Sequence, residues 1–246
     1  MLLVLPPTET KRDGGTPGSV LDLGALGFPE LARERRAAIA AVRAVSRTVA
    51  GATEALGLGA TQRFEIDRNR ALTRSATMPA LDRYTGVLYE GLEVESLDDS
   101  QRAFAREHVV IHSALFGLVR AGDPIPAYRL SHDSRLPGLP LRRHWREAIS
   151  SQLAAHPGLV LDLRSEAYAA LGPAPADALY LRVVTENGSG RRVALSHFNK
   201  KAKGEFARAV IVAGVAHPDA ESLVRWAAGA GIRLEGGAPG ELDLIV

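Results

Sequence analysis

The chain opens with residues 1–15, MLLVLPPTETKRDGG, and this stretch decides how the rest is arranged. Its apolar residues 2–5 predict a short buried strand, and Pro6-Pro7 cannot continue a hydrogen-bonded ladder. The polar residues 8–15 therefore form a loop that leaves the end of a strand. In α/β proteins such loops commonly hold ligands, and anions are favoured where backbone amides and a cation converge. We expect this loop to belong to a binding site.

Outward from this strand, helical and strand patterns alternate along the chain without strict βαβ repetition. Apolar spacing predicts helices over residues 29–50, within 79–95, and over 98–108, 141–155, 201–215 and 219–229. Strands are predicted at 109–112, 115–119 and 159–163, with an extended segment at 128–130, a hairpin of 179–185 and 191–198, and a closing pair within 232–246. We therefore expect an α+β (mixed α/β) fold, a single compact domain over residues 1–246 with a central mixed sheet flanked by helices.

Composition excludes several classes of protein. The 246 residues include no Cys, which rules out a disulfide framework, a zinc finger, a thiolate-held iron–sulfur cluster and a cysteine nucleophile. The apolar stretch after Met1 is too short for a signal peptide or a membrane helix, so we expect a cytoplasmic protein without a membrane partner. Because the net charge is only +2, any affinity for nucleic acid must come from clustered charge.

Lysine usage is unusual. Of the 30 basic residues only four are Lys, namely Lys11, Lys200, Lys201 and Lys203, and the others are Arg. An ammonium is a compact point charge that can shift its pKa or contact a single phosphate oxygen, which a guanidinium does less well. The clustering of three Lys within four residues predicts a functional role for at least one of them; chance clustering at a solvated helix start is the alternative.

A possible helix-hairpin-helix-like element follows the predicted helix over residues 29–50. Residues 56–61, LGLGAT, place Gly57 and Gly59 in a turn between apolar residues. Helix-hairpin-helix modules use such glycines to bring backbone amides close to a DNA phosphate. Any helix-to-helix turn can contain two glycines, so the spacing alone leaves both interpretations open.

Motifs for common enzyme chemistry are absent. The helically spaced pair His108 and His112 crosses a predicted helix-to-strand boundary, which makes it a poor metal site. The nucleophile elbow G-x-S-x-G, the dinucleotide fingerprint and the P-loop are missing. We expect no metal and no cofactor.

Polar residues at predicted strand ends offer another kind of site. They lie in four separate segments and comprise Glu9, Thr10, Lys11 and Arg12, then Arg129, then Ser165 and Glu166, and finally Lys200 and Lys201. If these segments meet at one rim of the sheet, they form a cationic cleft with embedded carboxylates. Such a cleft suits either the backbone of DNA or a phosphorylated small molecule, and its width decides between them.

Six short motifs, in order along the chain, resemble those of the YaaA-type peroxide stress protein family. They are Pro6-Pro7-Thr8-Glu9-Thr10-Lys11, Tyr84-Thr85-Gly86, Ser113-Ala114-Leu115-Phe116-Gly117, Tyr128-Arg129-Leu130, the segment from Leu163 to Tyr168, and the segment from Phe198 to Gly204. The resemblance implies a compact α/β domain in the cytoplasm, protection against hydrogen peroxide by limiting free iron, and DNA binding through a positively charged cleft with a helix-hairpin-helix-like element.

Two functions remain open at this point. In the first, a DNA-binding stress protein neutralises phosphates with Lys11, Arg12, Arg129, Lys200, Lys201 and Lys203, while Gly57 and Gly59 admit backbone contact. In the second, an enzyme acts on a small phosphorylated or nucleotide-like substrate, with Lys11 and Lys201 as anion holders or acid/base groups and Glu9 or Glu166 as the carboxylate. The first is favoured. The DNA structure preferred and the oligomeric state are left open.

Overall fold

A computed structural model describes residues 1–186, 192–194 and 199–246 of the chain. Its strands are β1 Leu2–Leu5, β2 Met78–Pro79, β3 Val109–Ser113, β4 Gly117–Arg120, β5 Pro124–Ile125, β6 Val160–Asp162, β7 Leu179–Glu186, β8 Arg192–Ala194, β9 Leu234–Gly236 and β10 Glu241–Ile245. Within the described residues, eight of these strands form one mixed sheet in the order β4-β3-β1-β6-β7-β10-β9, with β8 paired to β7. Strands β2 and β5 form a separate small pair.

Helices cover this sheet. They are α1 Ala32–Val45, α2 Val49–Leu56, α3 Phe64–Arg70, α4 Ala80–Arg83, α5 Val87–Leu92, α6 Asp99–His108, α7 Leu141–Ala154, α8 Glu166–Ala169, α9 Asn199–Ala213 and α10 Ala220–Gly229. Short 3₁₀ turns occupy Leu23–Ala25, Pro29–Leu31, Ala60–Gln62 and Val94–Ser96. The predicted mixed α/β fold with a central mixed sheet flanked by helices is confirmed. No helix in the described parts of the chain is long and apolar enough to cross a membrane.

Strand β1 lies in the middle of the sheet, as its uniformly apolar sequence requires. It pairs in parallel with β3 on one side and with β6 on the other, and all four of its residues are buried. The chain therefore leaves β1 in one direction to reach β3 and returns to its other side to form β6. In open α/β sheets, a crevice for ligands forms at such a switch, outside the carboxyl ends of the strands.

Two predicted helices are confirmed with their boundary signals. Asp98 caps α6 by accepting a hydrogen bond from the backbone N–H of Gln101 at 2.8 Å. Helix α7 buries Trp145, Ile149 and Leu153 completely, which is the apolar face that the spacing predicts.

The single helix predicted over residues 29–50 is wrong. Helix α1 ends at Val45, and α2 begins after Thr48, whose hydroxyl accepts a hydrogen bond from the N–H of Gly51 at 3.1 Å. Gly51 thus lies in the first turn of the second helix. The apolar spacing runs through the break because α2 buries Ala52 and Leu56 in the same core. The helix predicted within residues 79–95 is likewise divided, into α4 and α5.

The predicted hairpin is present as the antiparallel pair of β7 and β8. Its turn, residues 187–190, and residues 195–198 of its second arm lie outside the described residues. The closing pair of strands is confirmed as β9 and β10, and β10 also extends the sheet in parallel beside β7.

Two fully buried arginines hold the long connection between β1 and α1, a role that their sequence context does not reveal. Arg83 donates to the backbone oxygens of Gly14 at 3.0 Å and Ala76 at 3.1 Å, and also to that of Arg12. Arg35 donates to the oxygens of Gly27 and Leu118, both at 2.7 Å, and to that of Phe116. Each guanidinium thus satisfies several buried carbonyls at once.

Candidate functional site

A cavity of about 740 Å³ lies outside the carboxyl ends of β1 and β6. Six parts of the chain line it: residues 6–10 after β1, residues 85–88 at the start of α5, residues 131–132, residues 163 and 165–168 after β6, Tyr180 of β7, and the first turns of α9. The loop after β1 is thus part of a cavity wall, as its position at a strand end led us to expect. The volume is that of a typical small-molecule site.

Lys11 lies beneath the loop that follows β1 and is not among the cavity-lining residues. Its side chain is buried, and Nζ donates hydrogen bonds to the backbone oxygens of Thr8 at 2.8 Å and Glu9 at 3.1 Å. The same nitrogen lies 4.1 Å from the ring centroid of Tyr128, which is a cation–π contact. Burial lowers the pKa of Lys11 to about 7, because an ammonium deprived of water is costly.

Lys203 binds backbone oxygens of the loop after β6, as Lys11 binds those of the loop after β1. Its Nζ donates to the backbone oxygens of Leu163 at 3.1 Å and Arg164 at 3.3 Å, and lies 4.7 Å from the ring centroid of Tyr180. Burial lowers the pKa of Lys203 to about 8. Unlike Lys11, Lys203 also lines the cavity. Two buried lysines therefore shape the two walls.

Arg129 and Glu9 form an ion pair at the edge of the cavity. An Nη2–Oε2 distance of 2.6 Å joins them, and Glu9 is among the lining residues. Asn69 of α3 fixes the backbone of Arg129 from both sides, accepting from its N–H and donating to its oxygen, both at 2.8 Å. The buried arginine therefore has a fixed backbone, whereas its partner carboxylate is half exposed.

A chain of hydroxyls lies behind Lys11. The Tyr84 and Tyr128 hydroxyls are 2.8 Å apart, and the Tyr128 hydroxyl is 2.6 Å from Ser113 Oγ at the carboxyl end of β3. Ser113 Oγ also accepts from the backbone N–H groups of the next turn. Burial raises the pKa of Tyr84 to about 12 and that of Tyr128 well above its ordinary value. Both phenols therefore stay neutral, and their rings pack against the amine of Lys11.

A second buried network lies below the loop after β6. Arg164 donates to both carboxylate oxygens of Asp162, at 2.8 and 2.6 Å, and approaches His112 Nδ1 at 2.8 Å. Burial, with the added charge of Arg164, holds the pKa of His112 well below its usual range. His112 is thus a neutral acceptor inside the sheet. No local sequence pattern shows that Arg164 faces inward, so this network is not predictable from the sequence.

The other candidate residues divide between the cavity and the outer surface. Lys200 and Glu166 line the cavity. Lys201 is exposed, pairs with Glu205 across one helical turn at 3.5 Å, and does not line it. Arg12 pairs with the exposed Glu95 at 2.6 Å, also outside it. Lys200 thus lines the cavity, whereas Lys11 lies beneath the loop after β1 and Lys201 faces solvent, so these three lysines do not share one surface.

Gly57 and Gly59 lie in the turn between α2 and α3. Gly57 adopts a left-handed φ of 62° and donates its N–H to the oxygen of Thr53. The N–H of Gly59 is taken by the side-chain oxygen of Gln62 at 2.9 Å. Both glycines are exposed, and neither lines the cavity. The turn is therefore a surface feature separate from the cavity.

Comparison with known proteins shows the family to which the chain belongs. A family model described as peroxide stress protein YaaA matches residues 1–229. A UPF0246 protein of Corynebacterium glutamicum is 42% identical over 96% of this chain and 95% of its own length. The UPF0246 protein of Streptomyces coelicolor is 38% identical over 100% of this chain and 98% of its own. The family match and these relatives cover the segments that line the cavity, and the chain belongs to the YaaA family of peroxide stress proteins.

Proposed function

We propose that this chain serves the response to peroxide as an enzyme that binds a small phosphorylated or nucleotide-like substrate in the cavity. The observation that carries the proposal is the cavity of about 740 Å³ at the switch point of the sheet. A depression of this size accepts a nucleotide, whereas a duplex needs an open groove. The more buried cations, Lys11 and Lys203, face backbone carbonyls and are poorly placed for the outer surface of DNA.

The charges of the cavity suit a phosphate with a hydroxylated body. Lys200 is exposed at the rim, one helical turn before the buried Lys203, and supplies positive charge for one end of a ligand. Hydroxyls of Thr8, Thr10 and Ser165 line the same space. Among the described residues, Glu166 has no ion-pair partner, which makes it the carboxylate best placed to accept a proton from a substrate.

Calorimetric titration with AMP tests this proposal. We expect saturable binding to the wild-type protein and a loss of about tenfold in affinity in Lys200→Ala, since one charge-assisted phosphate contact is removed. Lys201→Ala is the matched control, because the adjacent lysine carries the same charge and does not line the cavity. Equal losses in the two variants, or no binding by the wild type, would refute the proposal.

Binding to duplex DNA is the second candidate function, and the exposed turn between α2 and α3 favours it. Gly57, Gly59 and Arg63 all lie exposed at this turn. A protein bound there would shield DNA from the hydroxyl radicals that iron and peroxide produce. Such contacts are phosphate-directed, so the affinity falls steeply with salt and shows little sequence preference.

Fluorescence anisotropy of a labelled duplex at several salt concentrations tests the DNA candidate. We expect Arg63→Ala to weaken binding and to reduce the dependence of affinity on salt. Binding that is insensitive to salt, or none at low salt, would leave the cavity as the functional site.

A further inference from the structure

The ion pair between Glu9 and Arg129 is unequal in its burial. The side chain of Arg129 is 8% exposed, and that of Glu9 is 54% exposed. The side chain of Arg129 therefore lies in the protein interior, and Asn69 fixes its backbone by two hydrogen bonds. The carboxylate reaches it from the solvent side, from a loop that lines the cavity.

The guanidinium of Arg129 is also incompletely satisfied. Its Nε is buried and has no hydrogen-bond partner. A buried donor left without a partner costs free energy that an additional acceptor would recover. A tetrahedral phosphate, which carries more acceptor oxygens than one carboxylate, matches the Nε and Nη fork of an arginine.

The charged groups around the Arg129 guanidinium favour the binding of an anion that enters from the cavity. Lys11 lies close enough for its charge to interact with that of Arg129. Two other nearby carboxylates are engaged elsewhere: Glu65 is held by Arg68, with both contacts at 3.0 Å, and Asp133 bonds to Ser131. The half-exposed Glu9 therefore neutralises a buried positive centre.

We propose that Arg129, which lies behind the cavity-lining Glu9, also binds a phosphate that enters the cavity, and that Glu9 occupies the phosphate position until a ligand displaces it. The proposal rests on the proposed function and adds the group that the site recognises. Glu9 leaves by rotation of its exposed side chain, which needs no backbone movement because Lys11 keeps hold of the Thr8 and Glu9 carbonyls. Glu9 is then a competitor of the ligand.

The test measures binding of inorganic phosphate by calorimetry to the wild-type chain, Glu9→Ala and Glu221→Ala. We expect Glu9→Ala to bind phosphate about tenfold more tightly, because the internal competitor for a charged donor is gone. Glu221→Ala is the control: it removes an exposed carboxylate that pairs with Arg225 on α10, far from the cavity-lining residues in sequence, with the same change in net charge. Its affinity for phosphate should equal that of the wild type.

Arg129→Gln and Arg129→Lys, each combined with Glu9→Ala, show whether the gain depends on the guanidinium. We expect both to abolish it, since the lysine variant keeps the charge and loses the fork. Circular dichroism confirms that the variants are folded. If Arg129→Gln does not fold, Arg129→Lys decides. Persistence of the gain in the double variants, an equal gain in Glu221→Ala, or a gain with acetate in place of phosphate would overturn the proposal.

The phosphate experiment and the AMP experiment can fail independently. AMP binding that depends on Lys200 while Glu9→Ala leaves phosphate affinity unchanged would refute the role of Arg129 and Glu9 alone. Absence of both AMP and phosphate binding in every variant would refute the two proposals together.

Discussion

At the scale of single residues, burial changes what the lysines do. Lys11 and Lys203 each bind two backbone oxygens of a loop that follows a central strand, so they hold the walls of the cavity before any ligand arrives. A lysine in this position satisfies carbonyls that have no strand partner. Its depressed pKa is the consequence of that burial, and it makes the fold sensitive to pH.

The free energy of unfolding should rise with pH above 7. The unfolded chain keeps the Lys11 proton up to about its ordinary pKa of 10.5, whereas the folded chain releases it near 7, so between these values the unfolded state binds more protons. We expect a gain of about 2 kcal/mol from Lys11 between pH 7 and 9, with Lys203 adding to it above pH 8.

Urea unfolding at pH 7, 8 and 9 measures this gain. Lys11→Met keeps an apolar chain over the Tyr128 ring and has no proton to release, so its stability should rise less than that of the wild type. A wild-type stability that stays level or falls across this range would contradict the burial of an ionisable amine at this place.

The sequence points to these residues without revealing their roles. The rarity of Lys singles out Lys11 and Lys203, but a linear pattern cannot distinguish an ammonium that faces a phosphate from one that faces a carbonyl. The sequence does not distinguish Lys201 from the other lysines of α9 either, because Lys200 and Lys203 line the cavity while the side chain of Lys201 faces solvent.

At the scale of elements, the close crossing of α5 and α9 brings Lys200 and Lys203 to the cavity. Glycines allow it: a Cβ at Gly204 would lie 2.0 Å from the carbonyl oxygen of Leu88, and a Cβ at Gly91 would lie 2.7 Å from that of Lys201. The backbones of the two helices are therefore in direct contact.

Gly204→Ala should destabilise the protein by about 3 kcal/mol, since the helices must move apart to admit the methyl group. Gly229→Ala in α10 is the matched control, because nothing lies within 4 Å of its Cβ position, and it should be neutral or slightly stabilising. Denaturant unfolding measures both. Equal stability of the two variants would contradict the close crossing.

Elements with a complete local signal were predictable. Strand β1 has a uniform apolar run and a proline stop, and α6 has an aspartate cap. The break between α1 and α2 was not, because Thr48 caps the second helix while the apolar spacing continues across the gap. A cap inside a continuous apolar pattern needs tertiary packing to be recognised.

At the scale of the whole molecule, the sheet order assembles the site. Residues that line the cavity come from segments as far apart as Pro6 and Lys203, and they meet because β1 lies between β3 and β6. The sequence identifies the segments around Glu9, Ser165 and Lys200 as following strands. It does not show the strand order or the volume that they enclose, which depend on long-range pairing.

We expect the purified protein not to bind ferrous iron tightly. Glu9 is already paired with Arg129, and Glu166 shares its cavity with Lys200 and Lys203, so positive charge opposes a hard cation at both carboxylates. Anaerobic calorimetric titration with ferrous iron measures this. Stoichiometric binding at micromolar affinity or better would contradict this account of the site's charges.

Hydrogen–deuterium exchange in the presence and absence of AMP tests whether the cavity at the carboxyl ends of β1 and β6 is the functional site. Exchange reports each segment separately, so it locates the bound ligand on the fold. We predict slower exchange in residues 8–11, 85–92 and 163–168, which form or adjoin the cavity walls, and unchanged exchange in residues 57–64 between α2 and α3. Slower exchange confined to residues 57–64, or no change in the cavity segments at saturating AMP, would contradict this prediction.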